Sequence, residues 1–243
     1  MACIQEILGG PGGCVCFMSP VNIFIVIPTY NEVKTIGSIV RALRDRGFRV
    51  VVVDDGSKDD TIVEANKYGA ELIVHSKNAG KGRCIREGLE HSLEEGCNAV
   101  ITIDGDGQHD LKEIDKFIEE YNESGADIVL GNRMYEPKKM PFIRRCTNVF
   151  MSFVISLILA KRIDDSQCGY RLLSRRAIEK MSLKTAKYEI ESEMLLEAKR
   201  HNLMISSVKI NSIYRGEASQ INPFFDTIRF IKFILNEFLQ KKI

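Results

Sequence analysis

The sequence predicts an α/β fold in which helices cover both faces of one mostly parallel β-sheet. Three observations support this prediction. Five short apolar runs end in polar residues, amphipathic segments separate successive runs, and 243 residues with 44% hydrophobic content are enough to bury one full core. Strict alternation of strands and helices is typical of doubly wound sheets with right-handed crossovers. We therefore expect one α/β domain.

The strands are predicted at apolar runs that lack the alternation of a half-exposed strand. A parallel strand that is covered on both faces is apolar throughout. Pro28 closes the first run, and Asp54 follows the second. The predicted strands are residues 23–27, 50–53, 71–74, 99–103 and 127–130.

Helices are predicted between these strands, where apolar residues recur at helical spacing. Gly47 ends the first helix, and Asp59 or Asp60 is placed to cap the second. The predicted helices are residues 34–46, 61–68, 81–94 and 111–121. Two later segments are also helical in pattern: residues 140–160 are apolar nearly all round, and the segment from Phe224 onward is amphipathic.

Composition limits the classes of partner and the domain organisation. The formal charge of +1 gives no global field that would gather nucleic acid, so we expect no nucleic-acid partner. The seven cysteines are odd in number and scattered, which favours reduced thiols in the cytoplasm over a disulfide frame or a zinc site. We expect a disordered extension at residues 1–20 that is not a signal peptide, a main domain at 21–220, and a C-terminal amphipathic helix at 221–243.

The end of the fourth predicted strand carries two carboxylates, Asp104 and Asp106, with Gly105 between them. Carboxylate oxygens are ligands for Mg²⁺ or Mn²⁺, and small residues let a diphosphate approach the backbone. A solvated turn is the alternative for an isolated Asp-x-Asp. An EF-hand is disfavoured because His109 stands where that loop needs glycine.

Polar residues follow the other strands as well, at 29–32, 54–57 and 131–133. The carboxyl ends of parallel strands share one edge, where open α/β sheets bind ligands. This convergence favours a metal site over a turn at Asp104 and Asp106. A dinucleotide site is disfavoured because the first strand lacks the following Gly-x-Gly-x-x-Gly, and Gly80-Lys81-Gly82 lacks the other residues of a P-loop.

Four segments resemble, in order, the signatures of family 2 glycosyltransferases with the GT-A fold. They are residues 27–32, 53–61, 78–82 and 104–106. The resemblance implies that Asp104 and Asp106 hold Mg²⁺ or Mn²⁺ on the diphosphate of a nucleotide sugar. It also implies a set of donor-binding residues, which are Pro28, Tyr30, Glu32, Asp54, Asp55 and Lys81.

Segments in the second half of the chain narrow the resemblance to one branch of these glycosyltransferases. Residues 165–171 are similar to a segment of the polyprenyl-phosphate glycosyltransferases, the dolichyl-phosphate mannose and glucose synthases. The Gln-Cys-Gly at 167–169 looks closer to the glucose branch, which favours a UDP-glucose or UDP-N-acetylglucosamine donor over GDP-mannose. Gln108 matches a metal-associated glutamine of the mannose synthases. Residues 188–191 resemble an aromatic-acidic segment in which Glu191 or Glu193 supplies the acid.

The resemblance implies inverting transfer of a sugar to a polyprenyl phosphate. We expect Arg133 and Arg171 to bind the acceptor phosphate, because a guanidinium binds phosphate bidentately. A phosphate is ionised near neutral pH, so Asp165 is expected to organise Arg171 and not to act as a base. The alternatives are transfer to a hydroxyl acceptor, with Asp165 as base, and a nucleotidyltransferase.

Membrane attachment is expected to be peripheral. Many relatives continue into transmembrane helices, whereas no apolar run here reaches the roughly 20 residues that span a bilayer. The apolar segment 140–160 and the C-terminal helix could instead lie on the cytoplasmic face of the membrane. Basic residues near the segment 140–160 could meet anionic head groups and the acceptor phosphate, namely Arg133, Lys138, Lys139, Arg144, Arg145 and Arg171. Lys232, Lys241 and Lys242 flank the C-terminal helix. The alternative for the C-terminal helix is packing on the core.

Overall fold

The computed structural model describes residues 22–135, 140–211, 213 and 223–239, and the side chains of residues 223–225 are outside this description. The expected N-terminal extension at 1–20 lies outside the described residues, as do Lys138, Lys139, Lys241 and Lys242.

The centre of the fold is a seven-stranded sheet with the order β3-β2-β1-β4-β6-β5-β7. The strands are β1 (Ile23–Thr29), β2 (Arg49–Asp54), β3 (Glu71–Val74), β4 (Ala99–Thr102), β5 (Ile128–Asn132), β6 (Arg171–Ser174) and β7 (Ile205–Lys209). All five predicted strands are present. The sheet is mostly parallel, as predicted, and β6 runs antiparallel to both β4 and β5.

Eight α-helices are described, and a short 3₁₀ turn, Leu111–Glu113, precedes the fourth. They are α1 (Ile36–Asp45), α2 (Thr61–Lys67), α3 (Lys81–Glu94), α4 (Ile114–Ser124), α5 (Phe142–Leu159), α6 (Arg175–Lys180), α7 (Ile190–Arg200) and α8 (Pro223–Leu239). All four helices predicted between the strands are present, as are both later helical segments.

Alternate residues of each central strand bury their side chains on opposite faces of the sheet. Val51 and Val53 join a core cluster with α3, α5, α6, α7 and α8. Val50 and Val52 join a second cluster with α1, α2 and α4. Helices therefore cover both faces, and the loops at the carboxyl ends of β1, β2 and β4 come together at one edge.

Helix α5 lies on the side of the domain with one face buried and one exposed. Met151 and Ile155 are buried, whereas Phe153 and Leu157 are 59% and 66% exposed. The segment that is apolar nearly all round in sequence is therefore a two-faced helix, with one apolar face in the core and the other exposed. Among the described helices, α5 alone has the length and mean hydropathy of a membrane span, although this fold packs it against α7 and α8.

Candidate active site

A cavity of about 380 Å³ opens at the edge where β1, β2 and β4 end. The N-terminus of α3 forms one wall, and the segment that precedes α7 forms another. Most of the residues that the sequence predicts for donor and metal binding line it, namely Pro28, Tyr30, Glu32, Asp55, Lys81, Asp104, Asp106 and Gln108. The structure thus brings together residues that lie up to 80 positions apart in the chain.

Asp104 lies at the centre of the site. Its Oδ1 is 2.6 Å from Lys81 Nζ, and its Oδ2 is 3.3 Å from His109 Nε2. Burial alone would raise the pKa of Asp104, but Lys81 and His109 hold it well below its usual range. Asp104 is therefore an ionised carboxylate near neutral pH.

Asp106 has a different electrostatic environment. Its Oδ1 accepts a hydrogen bond of 2.9 Å from the Gln108 backbone N–H. Burial and the neighbouring Asp104 raise the pKa of Asp106. Two close carboxylates that repel one another are stabilised by a divalent cation, so the oxygen donor set fits Mg²⁺ or Mn²⁺.

Lys81 is an ion-pair partner of two acids. Its Nζ lies 2.8 Å from Glu191 Oε1 as well as 2.6 Å from Asp104. Glu191 is buried, and its Oε2 has no hydrogen-bond partner among the described residues. Burial would lower the pKa of Lys81, but Asp104 and Glu191 raise it, so the ammonium stays charged.

The choice between Glu191 and Glu193 follows from where each carboxylate lies. Glu193 accepts backbone hydrogen bonds of 2.8 Å from Lys184 and 2.9 Å from Thr185, so it holds the preceding loop. Glu191 lines a smaller cavity next to the main one. Glu191 is therefore the acid that belongs to the site.

Gly169 is required for close packing against this ion pair. A Cβ at this position would lie 2.9 Å from both Asp104 carboxylate oxygens and 2.9 Å from Lys81 Nζ. Real Cβ atoms essentially never make such contacts, so any side chain here would displace the pair. The Gln-Cys-Gly segment thus packs directly against Asp104 and Lys81.

Asp54 and Asp55 have separate structural environments. Asp54 is fully buried, and its Oδ2 accepts from the backbone N–H groups of Gly56 and Ser57. Asp55 lines the cavity and accepts from the backbone N–H groups of Ala79 and Gly80 at 2.7 and 2.8 Å. The donor-binding role of Asp54 stays a prediction, since its side chain is bonded to its own loop and to the Thr29 hydroxyl of β1 and does not line the cavity.

Arg133 and Asp165 form a buried bidentate ion pair. Arg133 Nε donates to Asp165 Oδ2 at 2.8 Å, and one terminal nitrogen donates to Oδ1 at 3.0 Å. Asn148 on α5 also donates to Oδ1, at 2.8 Å. Burial would raise the pKa of Asp165, but Arg133 and Asn148 lower it. Because both of its carboxylate oxygens accept hydrogen bonds, Asp165 is a poor base. The expectation that Asp165 organises Arg171 is corrected, since its arginine partner is Arg133.

Arg171 does not reach either cavity. Only 1% of its surface is exposed, and its guanidinium donates to three backbone carbonyls, those of Ser166, Cys168 and Glu191. The expectation that Arg171 binds the acceptor phosphate is therefore corrected. Its side chain instead ties the 166–168 loop to α7.

The cavity also contains cations that were not among the predicted catalytic and donor-binding residues. Arg144 from α5 and Arg229 from α8 both line it, together with Lys187. Arg144 further lines the smaller cavity, which also includes Arg133 and Glu191. No motif marks Arg229, because tertiary packing of a C-terminal helix brings it to the site. Arg144 had a weak signal, since it stands in a basic cluster ahead of an apolar helix.

Comparisons with known proteins identify the family and the fold of this chain. The model of "Glycosyl transferase family 2" matches residues 24–182. The chain is 33% identical to the UDP-N-acetylglucosamine–dolichyl-phosphate N-acetylglucosaminyltransferase of Methanococcus voltae, over 79% of this chain and 86% of that protein. It is 28% identical to the human dolichyl-phosphate beta-glucosyltransferase, over 87% of this chain and 73% of that protein.

Among solved structures, the glucosyl-3-phosphoglycerate synthase of Mycobacterium tuberculosis has the same fold. Its complex with Mn²⁺, UDP-glucose and phosphoglyceric acid superimposes with a TM-score of 0.66 at 18% identity, over 81% of this chain and 72% of that one. The mostly parallel sheet with helices on both faces is thus a GT-A-like fold, as the sequence predicts. The chain belongs to the family 2 glycosyltransferases.

Proposed function

We propose that this protein transfers a sugar from a nucleotide sugar to a polyprenyl phosphate of the dolichyl type, with inversion at the anomeric carbon. One observation carries the proposal. Asp104 and Lys81 line both the main cavity and the smaller cavity, and the smaller cavity contains Arg133 and Arg144 beside the apolar helix α5. A donor diphosphate and an acceptor phosphate can therefore meet at one point.

The donor occupies the main cavity in this proposal. Pro28, Tyr30, Glu32 and Asp55 surround the base and ribose, and Lys81 contacts the diphosphate. Asp104 and Asp106, with Gln108 beside them, hold Mg²⁺ or Mn²⁺, which supplies positive charge for the leaving nucleoside diphosphate. UDP-glucose and UDP-N-acetylglucosamine are the favoured donors, supported by the names of the two relatives and by the Gln-Cys-Gly segment; GDP-mannose is the next candidate.

The acceptor phosphate lies in the smaller cavity in this proposal. Arg133 and Arg144 bind its oxygens, since guanidinium groups recognise phosphate with directed hydrogen bonds. One phosphate oxygen then attacks the anomeric carbon from the face opposite the leaving diphosphate. A phosphate is already ionised near neutral pH, so no general base is required. Asp165 contributes by orienting Arg133 through their two hydrogen bonds.

The lipid tail of such an acceptor requires an apolar surface near the smaller cavity. Helix α5 supplies Arg144 to that cavity and also exposes Phe142, Phe153 and Leu157. Neighbouring α8 buries Phe230 and Ile234 and exposes Leu235 and Phe238. We infer that these exposed faces rest on the cytoplasmic surface of a membrane, with the catalytic domain attached peripherally.

The decisive experiment is a transfer assay with identified products. The full chain is incubated with Mg²⁺ or Mn²⁺, each of the three candidate donors, and a short polyprenyl phosphate, and the lipid is analysed by mass spectrometry. A glycosyl phospholipid with release of nucleoside diphosphate supports the proposal. Transfer only to a free sugar, supplied as acceptor in a parallel incubation, would favour the hydroxyl-acceptor alternative, and release of pyrophosphate would favour a nucleotidyltransferase.

A further inference from the structure

Three potential metal ligands, a carboxylate, an imidazole and a thiol, converge beside the main cavity. Asp55 follows β2, His75 follows β3, and Cys84 lies in the first turn of α3. His75 Nδ1 is 3.0 Å from Asp55 Oδ1 and 3.9 Å from Cys84 Sγ. All three ligand atoms lie within 4.8 Å of one another, which is a spacing that one ion can bridge.

The second nitrogen of His75 has the partner that metal-binding histidines usually have. His75 Nε2 is hydrogen-bonded to Glu87, and Glu87 is held in turn by Arg83 Nε at 2.7 Å. A carboxylate on the outer nitrogen of a ligating histidine fixes the tautomer and makes the inner nitrogen a better ligand. The imidazole ring therefore presents Nδ1 towards Asp55 and Cys84.

The ligand types differ from those of the Asp104 and Asp106 pair. Thiolate and imidazole favour Zn²⁺ and similar ions, whereas a set of carboxylates favours Mg²⁺ or Mn²⁺. Asp55 and Cys84 both line the main cavity, which gives an ion a route in and leaves a coordination position for water or ligand. The two sites can thus bind different metals within one cavity.

We propose that Asp55, His75 and Cys84 form a second metal site, selective for thiolate-binding ions of the Zn²⁺ class. The site is separate from the Asp104 and Asp106 pair but shares Asp55 with the proposed donor pocket, where Asp55 also accepts from the Ala79 and Gly80 backbone N–H groups. Its existence does not depend on the proposed transfer activity. The spacing of the cysteines along the chain gives no sign of it, because its ligands come from three different elements.

Metal binding here must displace protons from both His75 and Cys84. Burial would lower the pKa of His75, but Glu87 and Asp55 raise it, so Nδ1 carries a proton towards Asp55 when no ion is bound. Burial and the nearby Asp55 raise the pKa of the Cys84 thiol, so the thiol is protonated without an ion. Coordination by a divalent ion deprotonates a thiol outright. Binding of Zn²⁺ should therefore release protons to the buffer.

Co²⁺ is the most selective probe because a Co²⁺–thiolate bond gives a charge-transfer absorption that carboxylate ligands do not. The experiment uses the full chain with Cys3, Cys14 and Cys16 changed to serine, so that thiols of the N-terminal segment do not contribute. Co²⁺ titration should give this absorption and saturate at one thiolate-bound ion per chain. Competition with Zn²⁺ should abolish the absorption.

The matched variants are Cys84→Ser and Cys97→Ser, since both thiols are buried. Cys84→Ser should remove the charge-transfer absorption and Cys97→Ser should keep it. Glu87→Gln leaves the three ligands in place and should weaken Zn²⁺ binding by roughly tenfold to a hundredfold. Circular dichroism shows whether each variant is folded, and His75→Gln replaces Cys84→Ser if the latter is not.

Absence of the absorption in the folded parent protein would overturn the proposal. An absorption that persists in Cys84→Ser, or in His75→Gln, would overturn it as well. In that case the three side chains form only a hydrogen-bonded cluster that supports the 79–80 loop.

Discussion

At the scale of single residues, Lys81 connects the two halves of the site. Its ammonium group bridges Asp104, from the strand end, and Glu191, from α7. Glu191 is buried and has Lys81 as its ion-pair partner, whereas Asp104 is partly exposed and is also paired with His109, so Glu191 depends more strongly on this cation for charge compensation. The sequence predicted Lys81, Asp104 and Glu191 as site residues, but only the fold shows that they form one ion-pair network.

Replacement of Lys81 by methionine should be strongly destabilising. Removal of one partner from a buried ion pair typically costs about 3–5 kcal/mol, because the remaining charges are left uncompensated. Urea unfolding measures the change. The control is Lys77→Met, an exposed lysine in the preceding loop, which should change the free energy of unfolding very little. Equal stability of Lys81→Met and the wild type would contradict the network.

Gly169→Ala should reduce transfer while the protein remains folded. The added Cβ would lie 2.9 Å from the Asp104 oxygens and from Lys81 Nζ, so the ion pair must shift. The measurement is the transfer rate at saturating donor together with the melting temperature. Gly37→Ala is the control, since its Cβ would meet the side chains of Glu64 and Tyr68, neither of which lines either cavity. A fully active Gly169→Ala enzyme would show that this close approach is not needed.

The Asp165 ion pair makes stability depend on pH. Arg133 and Asn148 lower the folded-state pKa of Asp165 below the unfolded value of about 3.9, so the folded state binds fewer protons. The pair therefore stabilises the fold above about pH 4, and this stabilisation is lost as the pH falls through the folded-state pKa.

Unfolding of Asp165→Asn at different pH values tests this assignment. The variant should be about 3–5 kcal/mol less stable at pH 7, and the difference should shrink towards pH 3. Asp164→Asn is the control, because Asp164 is more exposed and pairs with the exposed Arg162. A difference that is the same at both pH values would show that Asp165 does not act through its charge.

At the scale of elements, α5 has two separate functions in this account. Its buried side positions Asn148 against Asp165, and its first turns bring Arg144 to both cavities. Its outer side exposes Phe153 and Leu157 without a partner among the described residues. Because α5 has apolar residues on both its buried face and its exposed face, its sequence alone does not show which face packs on the core and which is open to a membrane.

The double variant Phe153→Ser/Leu157→Ser should lose affinity for lipid vesicles. Both side chains are more than half exposed, so the fold should keep its melting temperature. Co-sedimentation with vesicles that contain anionic lipid measures the loss. Val63→Ser on α2, which is 62% exposed on the other side of the sheet, is the control. Unchanged binding of the double variant would exclude this face as the membrane surface.

At the scale of the whole molecule, the sequence predicted the parts of the fold with the strongest local patterns. Strands β1 to β5 and the helices between them have clear apolar runs and spacing. Strands β6 and β7 were not predicted, since β6 has four residues and begins with a charged one. Its antiparallel insertion between β4 and β5 depends on long-range pairing that no local pattern shows.

Local sequence patterns were equally limited in predicting which side chains reach the site. The polar residues that follow the predicted strands indicated where the cavity lies, because a parallel sheet places the carboxyl ends of its strands at one edge. The role expected for Arg171 was wrong, since a motif shows that an arginine is present but not whether its donors face a cavity or backbone carbonyls. Arg229 reaches the cavity only through the packing of α8.

The central claim is that Asp104 and Asp106 hold the metal for transfer from a nucleotide sugar to a polyprenyl phosphate. The most direct test is the rate of glycosyl phospholipid formation by Asp104→Asn and Asp106→Asn over a range of Mn²⁺ concentrations, with Asp110→Asn as the nearby control. We predict that both site variants remain folded and lose transfer at every Mn²⁺ concentration, while the control stays active. Wild-type rates in either site variant would contradict the account.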